Sequence, residues 1–227
     1  MTSTVTLRLR QARLLAAPTV RTIGWPALLG GGLIGLALVV AGRLGSADAA
    51  PLARWPGLAA LALCLGAAWL LDDAASFTVA ASPTPLALRR LLRIALALPL
   101  LASVWAVELW YATGGAGDLL FGPTARGALS LEFAAMLAFT LALSSLALRV
   151  LPDGRAGFAG IVAPFALLAL AALLPSRWTL LVLPGDSAWT ASHLRWATIL
   201  AAGVLVLAWT SREPRHRNPR SETDARS

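Results

Sequence analysis

The chain has 227 residues, 58% of them hydrophobic and 13% charged, with a mean hydropathy of +0.72. Soluble domains carry roughly 25% charged residues, so a soluble fold is excluded, and continuous rather than alternating apolar runs exclude a β-barrel. The net charge of +8 comes from nineteen basic residues, all arginine. They gather at the ends of the apolar runs, where insertion rules and membrane lipid headgroups favour them, so the charge does not call for nucleic acid.

Residues 1–23 open the chain as a basic, amphipathic leader, MTSTVTLRLRQARLLAAPTVRTI. The apolar run behind it is too long for the core of a signal peptide, and no small-residue cleavage site follows, so the leader is expected to stay in the cytoplasm. Six apolar runs then predict helices near 24–42, 55–71, 94–112, 128–148, 157–174 and 194–210. Runs of about 20 residues cross a hydrocarbon core of roughly 30 Å. The expected fold class is all-α: a polytopic membrane protein with six transmembrane helices over 24–210.

Arginine placement sets the orientation. Fourteen lie on one side of the expected bilayer, from Arg8 through Arg89, Arg90, Arg93, Arg149 and Arg155 to Arg226, and five on the other: Arg43, Arg54, Arg126, Arg177 and Arg195. The positive-inside rule places both termini in the cytoplasm. The last stretch, 211–227, is basic and lacks large apolar residues, so it is expected to be a disordered cytoplasmic tail. Gly31 and Gly35, like Gly157 and Gly160, have the spacing that lets helices approach closely. The single cysteine, Cys64, falls inside the second run and reads as a small packing or lipid-facing residue.

The search for chemistry finds no catalytic set. The two histidines, His193 and His216, fall outside the expected spans, and there is neither a G-x-S-x-G motif nor a P-loop lysine. No enzyme activity, metal or cofactor is expected of the chain. Glu108 and Glu132 are the ionisable residues clearly inside apolar runs, and intramembrane carboxylates are functional candidates by default. Both are placed about one turn from the outer interface, either anchored there by Arg126, Arg177 or Tyr111, or serving a translocation path or outer gate.

The most polar interruption is DDAASFTVAASPTPLALRRLLR, residues 72–93. Asp72 and Asp73 suit a helix start, AASFTVAA a short surface helix, and Pro83 and Pro85 a sharp stop. Thr84 and Pro85 then suit the cap and first position of the next helix. On Asp72, Asp73, Phe77, Ser82, Pro83, Thr84 and Pro85 the stretch resembles the coupling segment of type-2 ABC exporter permeases, including haem-exporter B-like subunits. It departs from that pattern in its middle, where AASFTVA replaces an acidic Gly-Thr-Leu-Glu core. A second stretch, LLPSRWTLLVLPGDSAWTASHLRWA, is similar to the outer segment between the last two spans of that family, with Trp178 at its interface. The resemblance implies a transmembrane permease subunit of a bacterial inner-membrane exporter. Its partners would be a cytoplasmic ABC ATPase, which binds the ATP, and a second permease chain. The competing expectation is a non-transporting membrane scaffold that binds a cytoplasmic partner.

Overall fold

A computed structural model describes residues 14–45, 54–72, 86–114, 123–151, 156–175, 178–183 and 185–212. Among them are seven helices and no strand: α1 (14–22), α2 (Trp25–Gly45), α3 (Trp55–Ala67), α4 (Leu86–Thr113), α5 (Pro123–Val150), α6 (Gly157–Leu173) and α7 (Trp189–Thr210). Four of these, α2, α4, α5 and α7, are long and apolar enough to cross a membrane. This is an all-helical membrane protein.

The second and fifth runs come out shorter than the others. At 1.5 Å per residue, α3 with 13 residues and α6 with 17 extend only about 20 and 26 Å. The second run was expected to stay helical to Leu71, but it leaves the α-helix after Ala67. Ala68 N–H bonds Leu65 O and Leu70 N–H bonds Ala67 O, the tighter i to i+3 pattern. Such irregular backbone is tolerated at membrane depth where protein surrounds it. That condition holds here: α3 packs against α2, α4, α5 and α6, and Ala67, Ala68, Leu70 and Leu71 are all buried.

Small residues make this centre possible. A Cβ placed on Gly31 would lie 2.6 Å from Ala62 O, and one on Gly66 would lie 2.6 Å from Ala27 O, so α2 and α3 touch backbone to backbone. The Gly31/Gly35 spacing is therefore used within the chain, against α3. Cys64, fully enclosed on α3, packs inside the protein and does not face lipid. On the far side, α5 carries α7 through Gly203, whose Cβ position is 3.0 Å from the Ala138 carbonyl carbon. Phe133 of α5 stacks on Trp105 of α4 with ring centroids 4.7 Å apart.

Hydropathy misplaces helix starts more than helix identities. α5 begins at Pro123 where 128 was expected and α7 at Trp189 where 194 was expected, while α4 begins at Leu86, eight residues before its apolar run and next to the start that Thr84 and Pro85 signal. Each helix continues beyond its apolar run into residues that carry arginine, serine or histidine. Hydropathy sees only the lipid-matched part of a helix.

Candidate functional site

The two ends of the bundle are built differently. At the end where α4 begins and α5 and α7 finish, arginines bind backbone. The last carbonyls of a helix have no partner within it and carry its negative dipole end. Here Arg90 Nη1 donates to Thr210 O at 2.9 Å and Arg149 Nε donates to the same oxygen at 3.1 Å. Arg149 Nη2 also donates to Trp209 O and Arg212 O, while its guanidinium lies 4.6 Å from the Trp209 ring centroid. Ser145 Oγ and Thr210 Oγ1 close the cluster at 2.8 Å.

Arg93 does the same for the end of α3. It donates to Asp72 O and, at 3.4 Å, to Thr22 Oγ1 at the end of α1. The Asp72 carboxylate in turn accepts from Ala156 N–H at 2.8 Å, across 84 residues, at the start of α6. The sequence offers Asp72 as the cap of a short helix over AASFTVAA, which lies outside the described residues; its carboxylate instead meets the N–H of Ala156, the residue just before α6. Arg90 and Arg93 are each only 7% exposed. They were expected among lipid headgroups, but both are turned inward to bridge helices. Asp73, Phe77, Ser82, Pro83, Thr84 and Pro85 lie outside the described residues.

At the opposite end, α3, α5, α6 and α7 diverge around a cavity of about 680 Å³. Leu181, Val182 and Leu183 cover it, Leu58, Leu129 and Met136 form much of its wall, and Arg54, Glu132 and Asp186 are its charged groups. The covering segment is held on α7 by one carbonyl with two donors: Leu180 O accepts from Ser192 Oγ at 2.6 Å and from Trp196 Nε1 at 3.0 Å. Arg195 adds a bond to Thr179 O at 2.7 Å and places its guanidinium 5.2 Å from the Trp178 ring centroid. Trp178 itself is 52% exposed and does not line the cavity.

Glu132 meets a residue that hydropathy had left outside the bundle. Asp186 Oδ1 accepts from Ala188 N–H at 2.8 Å, a turn that leads into α7. This earlier start brings His193 into the helix and onto Glu132, with Nε2 3.1 Å from Oε1. Nε2 is off the line of a proper hydrogen bond, so the contact is a close pair of polar atoms in a pocket otherwise apolar. Histidine was not among the anchors expected for Glu132, and of those Arg177 lies outside the described residues. The turn signal in GDSAW would have placed His193 on α7.

Glu108 also departs from expectation. It was placed near water, yet it is 1% exposed, and neither oxygen has a hydrogen-bond partner among the described residues. Its carboxyl fills the space that the missing side chain of Gly35 leaves beside Ala59 O. Tyr111, a suggested partner, instead accepts through its carbonyl from Arg43 Nη1. The structure therefore separates the three outer candidates: Glu132 lines the cavity, Glu108 is enclosed between helices, and Trp178 lies at the surface. Among the described residues, no group of three or more histidine, cysteine, aspartate or glutamate side chains is placed to hold a metal. The chain matches no family model, no curated protein and no solved structure in comparisons with each.

Proposed function

We propose that the chain is the permease subunit of a type-2-like ABC exporter in a bacterial inner membrane. In this reading six helices cross the bilayer, both termini and the arginine-rich end face the cytoplasm, and the cavity opens towards the outer leaflet. The observation that carries it is the way the described residues on either side of the segment between α3 and α4 are fastened. Arg93 at one end holds the carbonyl of Asp72 at the other, and Asp72 holds the residue just before α6. Asp72 and Arg93 thereby link α4 to the end of α1, the residues after α3 and the start of α6, the kind of fastening a coupling element requires.

ATP chemistry belongs to a partner ATPase, and the chain contributes contacts that differ between two states. A second permease chain completes the transporter. The test is purification of the full chain from its native membranes in nanodiscs, followed by identification of any nucleotide-hydrolysing partner and assay of its turnover. Phe77→Asp should abolish ATPase association and stimulation while leaving membrane insertion intact. Undiminished ATPase co-purification with the variant would refute the coupling assignment, and a chain that never carries an ATPase would favour the scaffold reading.

A further inference from the structure

The proton arrangement at His193 is fixed by geometry. Nδ1 lies 2.8 Å from Trp189 O. A carbonyl only accepts, so Nδ1 carries its hydrogen. Nε2 then faces Glu132 Oε1 at 3.1 Å. Without a proton, that contact would set a nitrogen lone pair against a carboxylate oxygen. One proton on the pair, as imidazolium with carboxylate or as imidazole with carboxylic acid, removes that repulsion and leaves the pair neutral either way.

The surroundings give that proton a use. Among the described residues the Glu132 carboxylate has no polar partner besides His193, and it lines a cavity whose wall is chiefly aliphatic and aromatic. Trp189 and Trp196 contribute two indole surfaces there, which favour cations at their faces. The charged groups facing Glu132 are few. Arg54, just before α3, and Asp186, just after the covering segment, are both exposed at the rim and opposite in sign. α7 supplies His193, and α6 contributes only Leu168 to the cavity. A volume of about 680 Å³ lies within the roughly 300–1,000 Å³ of small-molecule sites.

We propose that this cavity binds a lipophilic cation in exchange for the proton shared by Glu132 and His193. The cation approaches Glu132, the carboxylate turns from His193 to become its counter-ion, His193 is left as neutral imidazole, and one proton passes to water. Charge balances, because one cation enters as one proton leaves. The apolar body of the ligand rests on Leu129, Met136 and the two tryptophans. As the substrate class of an exporter, this rests on the permease reading above, but binding itself is a property of the chain alone.

The test uses the full chain in phosphatidylcholine nanodiscs with tetraphenylphosphonium, a permanent cation, and tetraphenylborate, an anion of the same shape. Calorimetry against empty discs should show saturable binding of the phosphonium and none of the borate. About one proton should be released per cation bound. Affinity should rise up to about tenfold per pH unit across the range in which the pair keeps its proton. Glu132→Gln should lose the proton release and weaken phosphonium binding at least tenfold. Leu129→Trp, which fills the cavity and keeps both members of the pair, should also lose binding while keeping the helical circular dichroism of the unaltered chain. If Glu132→Gln fails to fold, the unaltered chain and Leu129→Trp still decide. Equal binding of the borate, no saturable phosphonium binding, pH-independent affinity or undiminished binding by Leu129→Trp would each overturn the proposal. An absent ATPase would overturn the exporter reading and leave these measurements standing.

Discussion

Gly30 and Gly31 are adjacent, and the structure assigns them opposite responses to the same substitution. A Cβ on Gly30 meets nothing within 4 Å, whereas one on Gly31 lies 2.6 Å from Ala62 O and 3.1 Å from Gly66 Cα. Both obstacles at Gly31 are backbone, so no side-chain rotation relieves them. Carbon and carbonyl oxygen settle at about 3.3 Å or more, so α2 and α3 must separate by about 0.7 Å. A gap of that size forfeits a quarter to a half of each dispersion contact along the seam. Overpacking of this kind costs about 1–3 kcal/mol, offset in part by the gain in helix propensity of up to about 1 kcal/mol for alanine over glycine. Gly31→Ala should therefore lose about 1–2 kcal/mol, while Gly30→Ala should be neutral or slightly stabilising. Reversible unfolding in mixed micelles, followed by circular dichroism, measures both. Gly31→Ala combined with Gly66→Ala should cost less than the sum of the two, because one separation relieves both clashes. Equal stability of the two single variants would refute the close crossing of α2 and α3.

Three further outcomes follow from named hydrogen bonds. Asp72→Ala should lower stability by about 1 kcal/mol through loss of its hydrogen bond from Ala156 N–H ahead of α6. Asp72→Asn, which keeps an acceptor for Ala156 N–H, should recover most of it in the same thermal melt. Trp196→Phe removes one of two donors to Leu180 O, a loss of about 1 kcal/mol. It should raise amide hydrogen exchange at Leu181 and Leu183 relative to α5. Glu108→Gln should leave the unfolding free energy within about 1 kcal/mol of the unaltered chain, because no donor to its carboxyl is lost. A large destabilisation there would mean that Glu108 has a partner unseen among the described residues.

The class of the fold and the identity of each apolar helix were legible because a membrane span is a local property, written in one continuous run. The contacts that organise the two ends were not local. Asp72 finds Ala156 across 84 residues, and Arg90 finds Thr210 across 120. Hydropathy treats every arginine as a residue bound for water, so it misses arginines whose hydrogen-bond needs are met by helix ends. Glu108 illustrates the same blindness from the other side. Its distance from the end of the run suggested access to water, but Gly35 opens a recess that only three-dimensional packing reveals. His193 was a nearer miss: Asp186 announces the start of α7, and counting from that turn places the histidine on the helix.

The shortness of α3 bears on how the chain is built. Alone in a bilayer, about 20 Å of helix leaves roughly 10 Å of hydrocarbon unmatched, which must be met by thinning, by tilting polar ends inward or by association. Its surface of alanine, glycine and leucine offers little to lipid beyond what α2 offers through Gly31. Membrane insertion should therefore deliver α2 and α3 as a pre-paired hairpin, with the centre of the protein assembled before the helices that later surround it.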